Sequence, residues 1–261
     1  MVARAHLAPP TRPPLRIKLR HIPPNVATAM SIVVALLAVM LARDGNFDLA
    51  AWMILWCVVL DKLDGTLARL LKAGTEFGVQ FDSLADFCAF GVAPGFFAYE
   101  MLLHHPSVSA VFRDGPNLWL LRLAVGLYVV AVAGRLARFN VDTPVLGDKY
   151  FMGIPTTMCG GMLAITYLTL NKYGFYDALA FFPLYLLVGG ALMVSTVRIP
   201  KLTRRKSKAM NVVQVVGLVV TLVFGALRIM PEVLFAMAMA YLFVGVIHAR
   251  ITGVGRRPRP S

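Results

Sequence analysis

Asp61 and Asp64 stand three residues apart and Asp82 and Asp86 four apart, so on helices each pair projects from one face. Two such faces turned toward each other make a four-carboxylate cage. An all-oxygen ligand set suits hard divalent cations, and a diphosphate substrate would add further oxygens. Two cations held about 4 Å apart can clamp both the attacking and the leaving oxygen of a displacement at phosphorus. The plain alternative is that the acids pair with Lys62, Arg69 and Lys72 in interfacial salt bridges. Salt bridges alone explain neither the paired spacing nor Gly65 and Gly78, which let backbone or ligand approach closely; Gly74 reads as a turn residue.

The elements that position these acids are apolar. Trp52-Met-Ile-Leu-Trp-Cys-Val-Val-Leu60 runs directly into Asp61, and the next apolar run opens with Phe81-Asp82. An Asp at the centre of a membrane helix costs about 2.5 to 3.5 kcal/mol, so four deep unpaired acids would cost on the order of 10 kcal/mol. A bound partner must compensate them. The chain has 261 residues, 58% hydrophobic and 15% charged. Its apolar runs are long enough to cross about 30 Å of hydrocarbon, which excludes an ordinary soluble domain.

Eight spans are expected, near 24–42, 48–71, 80–103, 117–138, 155–171, 176–196, 211–228 and 231–249. An even number puts both termini on one side, and that side then receives 21 of the 26 Lys and Arg residues. The positive-inside rule makes it the cytoplasm, with the protein in the cell membrane. The expected organisation is a basic cytoplasmic segment 1–23, one transmembrane catalytic domain 24–249 and a basic cytoplasmic tail 250–261. A net charge of +13 does not indicate nucleic acid, because the basic residues punctuate the apolar runs instead of gathering on a polar face. Cys57, Cys88 and Cys159 lack the spacing of a metal site or disulfide framework and read as packing residues. His104 and His105 read as surface histidines of an extracytoplasmic loop.

Written out, Asp61-x2-Asp64-Gly65-x2-Ala68-Arg69-x8-Gly78-x3-Asp82-x3-Asp86 matches each fixed position of the signature of the CDP-alcohol phosphotransferase family. The chain resembles that family over roughly residues 20 to 200. Glu76-Phe-Gly-Val-Gln-Phe-Asp-Ser-Leu-Ala-Asp86, Ala89-Phe-Gly-Val-Ala-Pro94, Arg135-Leu-Ala-Arg-Phe-Asn140 and Leu192-Met-Val-Ser195 followed by Arg198 are similar to its bacterial-type serine-using members. Two stretches depart from the pattern: Lys62 stands where small or apolar residues are usual, and Gly153-Ile-Pro-Thr-Thr157 only approximates the usual Gly-Leu-Pro-x-Pro.

The resemblance implies an all-α polytopic bundle of about eight transmembrane helices with a six-helix catalytic core, assembled as a homodimer. It implies two divalent cations, Mg2+ or Mn2+ with Ca2+ as an alternative occupant, held by Asp61, Asp64, Asp82 and Asp86. Asp86 would also be the general base. Asp61, Gly65, Ala68, Arg69 and Gly78 would bind the CDP-lipid, and Arg138, Phe139 and Asn140 the acceptor. The implied reaction transfers a phosphatidyl group from CDP-diacylglycerol to L-serine, giving phosphatidylserine and CMP. Choline, glycerol phosphate and inositol phosphate stay open as acceptors, since the metal signature is common to enzymes using each. A cation-coupled transporter is the alternative from another class, but it calls for acids near mid-membrane and matching halves. Here the acids lie at one edge and no internal repeat is visible.

Overall fold

The computed structural model describes residues 19–146, 150–195, 198–200, 216, 219–220, 223–225 and 227–240. Most of the basic N-terminal segment, Lys149, the basic stretch 201–208 and the tail 250–261 lie outside the described residues. Helices follow one another almost without interruption: α1 (Ile22–Arg43), α2 (Phe47–Leu70), α3 (Glu76–Asp86), α4 (Ala93–His104), α5 (Ser109–Phe112), α6 (Gly115–Leu146), α7 (Thr156–Tyr173) and α8 (Phe182–Val194). A helix over Pro231–Ala240 comes last among the described residues. The one strand pairing described is antiparallel, β1 (Tyr150–Met152) against β2 (Arg198–Pro200), with Phe151 opposite Ile199. The all-helical expectation therefore holds apart from three residues at the exit of α6 and three at the exit of α8.

Among the described residues, four stretches are long and apolar enough to cross a membrane: Leu19–Arg43, Glu76–His104, Gly115–Val141 and Tyr176–Val194. Charged residues Asp61, Lys62, Asp64 and Arg69 keep α2 out of that set. The chain is a multi-pass membrane protein, and the exposed faces agree with this: Val26, Met30, Val33, Leu36, Leu37 and Met40 of α1 all point outward. Such a surface is costly in water and ordinary in lipid.

The opposite face of α1 is built from small residues. Ala27, Ser31, Ala35, Ala38 and Ala42 recur at three- and four-residue steps and are buried. Small side chains let helix backbones close up, and in lipid that packing replaces the hydrophobic drive available in water. α2 answers with Ala50, Ala51, Ile54 and Cys57, and the Cys57 thiol donates to the Ser31 carbonyl at 3.5 Å. Pro23 and Pro24 sit in the first turn of α1, where a missing N–H is harmless.

Between α3 and α4 the helix does not break but widens into a π-helical stretch over Phe87–Val92. The extra residue per turn displaces carbonyls from their usual partners. Tyr128 of α6, fully buried, donates its hydroxyl to the Phe90 carbonyl at 2.8 Å. Gly160 of α7 packs on the same place; a Cβ there would press within 3.1 Å of Phe90 Cα and Pro94 Cγ. The widened turn thus joins α6 and α7 to the helix that carries Asp82 and Asp86.

At the far end, His104 is exposed as expected, and its Nδ1 lies 3.1 Å from Oε2 of the buried Glu100, which also faces Arg43 at 3.5 Å. His105 corrects the surface reading, since it is buried against the Phe47 and Tyr176 rings.

Candidate active site

α2 delivers Asp61 and Asp64 from its last three turns, and α3 delivers Asp82 and Asp86 after a short return. The return is fixed locally. Lys72 adopts φ +47° just past α2, the left-handed turn that commonly ends a helix. Thr75 then caps α3 by accepting from the Gly78 N–H at 2.9 Å. A Cβ on Gly78 would come within 3.1 Å of that Thr75 oxygen and 3.6 Å of Asn25 Oδ1, so the glycine leaves room for the cap and for α1. His21 Nδ1 lies 3.0 Å from the Ala73 carbonyl and ties the entry of α1 to the same turn.

With the turn fixed, Asp61, Asp64 and Asp82 each offer a carboxylate oxygen within 4.8 Å of the others. Asp86 is not in that trio, but it stands one turn beyond Asp82, and the charges of Asp61, Asp82 and Asp64 all act on it. Three acids so close repel one another unless cations intervene. The donor set is oxygen only, buried at Asp64 and half-buried at Asp61 and Asp82, which fits hard divalent cations. Thr28 orients the buried member, donating to Asp64 Oδ2 at 2.8 Å. Lys62 lays its ammonium 2.8 Å from Asp61 Oδ2.

The other expected residues divide into two groups. Gly65, Ala68 and Arg69 follow the acids along α2; a Cβ on Gly65 would meet nothing within 4 Å, and the exposed Arg69 donates to Thr66 Oγ1 at 3.3 Å. Asn140, near the end of α6, reaches α3: its Nδ2 donates to Ser83 Oγ at 3.0 Å and to Gln80 Oε1 at 3.4 Å, beside Asp82. Phe139 is partly exposed. Arg138 donates to the carbonyls of Val194 at 2.8 Å, Ser195 at 3.2 Å and Met193 at 3.5 Å where α8 ends. Gly153 packs onto the same end of α8, where a Cβ would run into the Met193 carbonyl.

Arg135, expected from the sequence only as one of the cytoplasmic-side basic residues, lies in the core. It is 6% exposed, its Nε has no hydrogen-bond partner among the described residues, and the charge of Asp86 acts on it. The signal was available in the periodicity of α6: Leu121, Ala124, Tyr128 and Val132 form its buried stripe, and Arg135 continues that stripe three residues on.

Fold and site together define a helical membrane enzyme with an acidic centre at one end of two adjacent helices. The chain belongs to the CDP-alcohol phosphatidyltransferase family, whose model matches residues 21–247. It is 36% identical over 186 residues to a CDP-diacylglycerol–serine O-phosphatidyltransferase of Helicobacter pylori, covering 70% of this chain and 73% of that one. An archaetidylserine synthase of Methanothermobacter thermautotrophicus is 32% identical over 183 residues, 68% of this chain and 69% of its own length. A CDP-diacylglycerol–serine O-phosphatidyltransferase of Methanocaldococcus jannaschii is 30% identical over 178 residues, 68% and 73% of the two chains.

Proposed function

We propose that this protein transfers the phosphatidyl group of CDP-diacylglycerol to L-serine, releasing CMP and forming phosphatidylserine. The observation that carries it is the convergence of Asp61, Asp64 and Asp82 within 4.8 Å on the family's signature helices. The names of the relatives supply serine as the acceptor.

Asp61, Asp64 and Asp82 would hold the divalent cations, Mg2+ or Mn2+, with Asp86 completing the second position. Bound there, the cations would supply the electrophilic field at the reacting phosphorus. Asp86 would accept the proton of the serine hydroxyl, whose oxygen forms a new bond to the phosphatidyl phosphorus while the bond to the CMP phosphate oxygen breaks. Gly65, Ala68, Arg69 and Gly78 would border the CDP moiety, Gly65 through the open space above its Cα and Arg69 through its exposed guanidinium. Arg138, Phe139 and Asn140 would line the acceptor side, joined by Arg135, which is buried with its Nε unpartnered among the described residues. A guanidinium can grip the carboxylate of serine through two parallel hydrogen bonds.

The same proposal takes the chain as one catalytic domain over 24–249 with eight spans, six of them the catalytic core, both termini in the cytoplasm, working as a homodimer in the cell membrane. A particle of single-protomer mass in detergent would exclude the homodimer. For the reaction, purified protein is incubated with CDP-diacylglycerol and a panel of alcohols while CMP is followed. Release with serine, lost with chelator and in Asp82→Asn, is expected. Faster release with glycerol phosphate, inositol phosphate or choline would sink the serine assignment, and metal-independent release by Asp82→Asn would sink the acidic centre.

A further inference from the structure

α2 carries a second stripe beside its acids. Lys62, Thr66 and Arg69 follow at steps of four and three, one face of the helix. They are linked end to end: Thr66 Oγ1 donates to the Lys62 carbonyl at 2.7 Å and accepts from Arg69 Nη2 at 3.3 Å. All three are exposed. From this stripe Lys62 turns its ammonium onto Asp61 Oδ2 at 2.8 Å, and its charge also acts on Asp64, Asp82 and Asp86.

An ion pair whose lysine side chain is 55% exposed contributes little to folding stability, so stability does not account for its place. Its place matters for another reason. Asp61 is one of the three acids whose oxygens converge, so an ammonium on Asp61 and a divalent cation on Asp61 compete for one carboxylate. Lysine is also suited to leave: its ammonium is a point charge on a flexible four-carbon stem, and it binds phosphate as well as carboxylate groups.

Resting on the phosphatidyl-transfer reading above, we propose that Lys62 is an exchange cation: its ammonium holds Asp61 in the absence of substrate and swings to the diphosphate of the CDP-lipid when that binds, leaving Asp61 to the metal. Metal and CDP-lipid binding are then linked, each strengthening the other through the one side chain that must change partners. Lys62 opposes metal binding before substrate arrives and assists it afterwards.

The test measures binding, not turnover. Mn2+ affinity of the full chain in nanodiscs is read from the signal of free Mn2+ in electron paramagnetic resonance, with and without CDP-diacylglycerol in the disc. In the parent, the CDP-lipid is expected to tighten Mn2+ binding by about 5-fold or more, within the usual range of coupling. Lys62→Met keeps the stem and removes the charge, so it binds Mn2+ several-fold more tightly than the parent without CDP-lipid and loses most of the coupling. Lys62→Arg keeps a charge and is expected to retain coupling. Mn2+ affinity and coupling unchanged in Lys62→Met overturn this proposal alone. Absence of Mn2+ binding in the parent overturns it together with the metal centre.

Discussion

The Thr28 hydroxyl lies 2.8 Å from Asp64 Oδ2 inside the contact between α1 and α2, and only 3.0 Å from the Pro24 carbonyl one turn back on its own helix. α1 carries none of the signature acids, yet it aims the one that is buried. A group that orients a metal ligand typically governs affinity by about 10- to 100-fold.

Thr28→Val keeps the shape and removes the donor. The Mn2+ or Mg2+ concentration for half-maximal CMP release is expected to rise by about 10-fold or more, while Thr28→Ser stays near the parent. A Val variant with parental metal dependence would reduce Thr28 to a packing residue.

Gly65 offers a different kind of test, because beyond its chain neighbours and its own helix backbone no atom of the described residues lies within 4 Å of the Cβ it lacks. Alanine there should favour the helix by about 0.5 to 1 kcal/mol. If the space belongs to the nucleotide, Gly65→Ala raises the KM for CDP-diacylglycerol while thermal stability holds or improves. Unchanged KM values would show that the signature glycine serves something other than substrate approach.

The acids could be found in the sequence because their chemistry is local: helical spacing alone puts Asp61 with Asp64 and Asp82 with Asp86, and oxygens of Asp61, Asp64 and Asp82 come within 4.8 Å of one another. The α1–α2 contact was equally open to spacing, in the Ala27–Ala42 stripe. The π-helical stretch was not. Nothing in Phe87–Val92 requires an extra residue per turn; the donor that satisfies Phe90 is Tyr128, 38 residues away. The partners of Arg138 were hidden for a similar reason, since the carbonyls of Met193, Val194 and Ser195 become its neighbours only once α6 and α8 pack.

The charge split predicts the topology, and cysteine labelling of intact cells checks it. Asp44 and Tyr173 lie at the ends of α1 and α7, and Lys72 lies in the turn beside the acids. Cysteines placed at 44 and 173 are expected to react with an impermeant reagent from outside, and one at 72 only after lysis. External reaction at 72 would put the acidic centre on the wrong face of the membrane and overturn the span count with it.

The two arginines of α6 divide the acceptor question between them. Serine is a zwitterion, so a site that selects it needs one cation for its carboxylate, placed where the hydroxyl can still reach the base. Arg138 already spends both terminal nitrogens on carbonyls at the end of α8, so its replacement should loosen that helix end and the neighbouring Asn140–Ser83 contact. Arg135 is buried, has an unpartnered Nε among the described residues, and feels the charge of Asp86. Lysine at either position keeps the charge and loses the planar fork. Arg135→Lys is therefore expected to raise the KM for serine by about 10-fold or more, the loss of one charge-assisted hydrogen bond, with little change in the KM for CDP-diacylglycerol. Arg138→Lys is expected to lower the thermal midpoint in detergent as well as weaken serine. The discriminating measurement is the ratio of the two KM values in each variant, read beside its melting curve. A selective rise in serine KM at Arg138 with unchanged melting, and none at Arg135, would return the carboxylate to Arg138 and leave Arg135 as a buried counter-charge to Asp86.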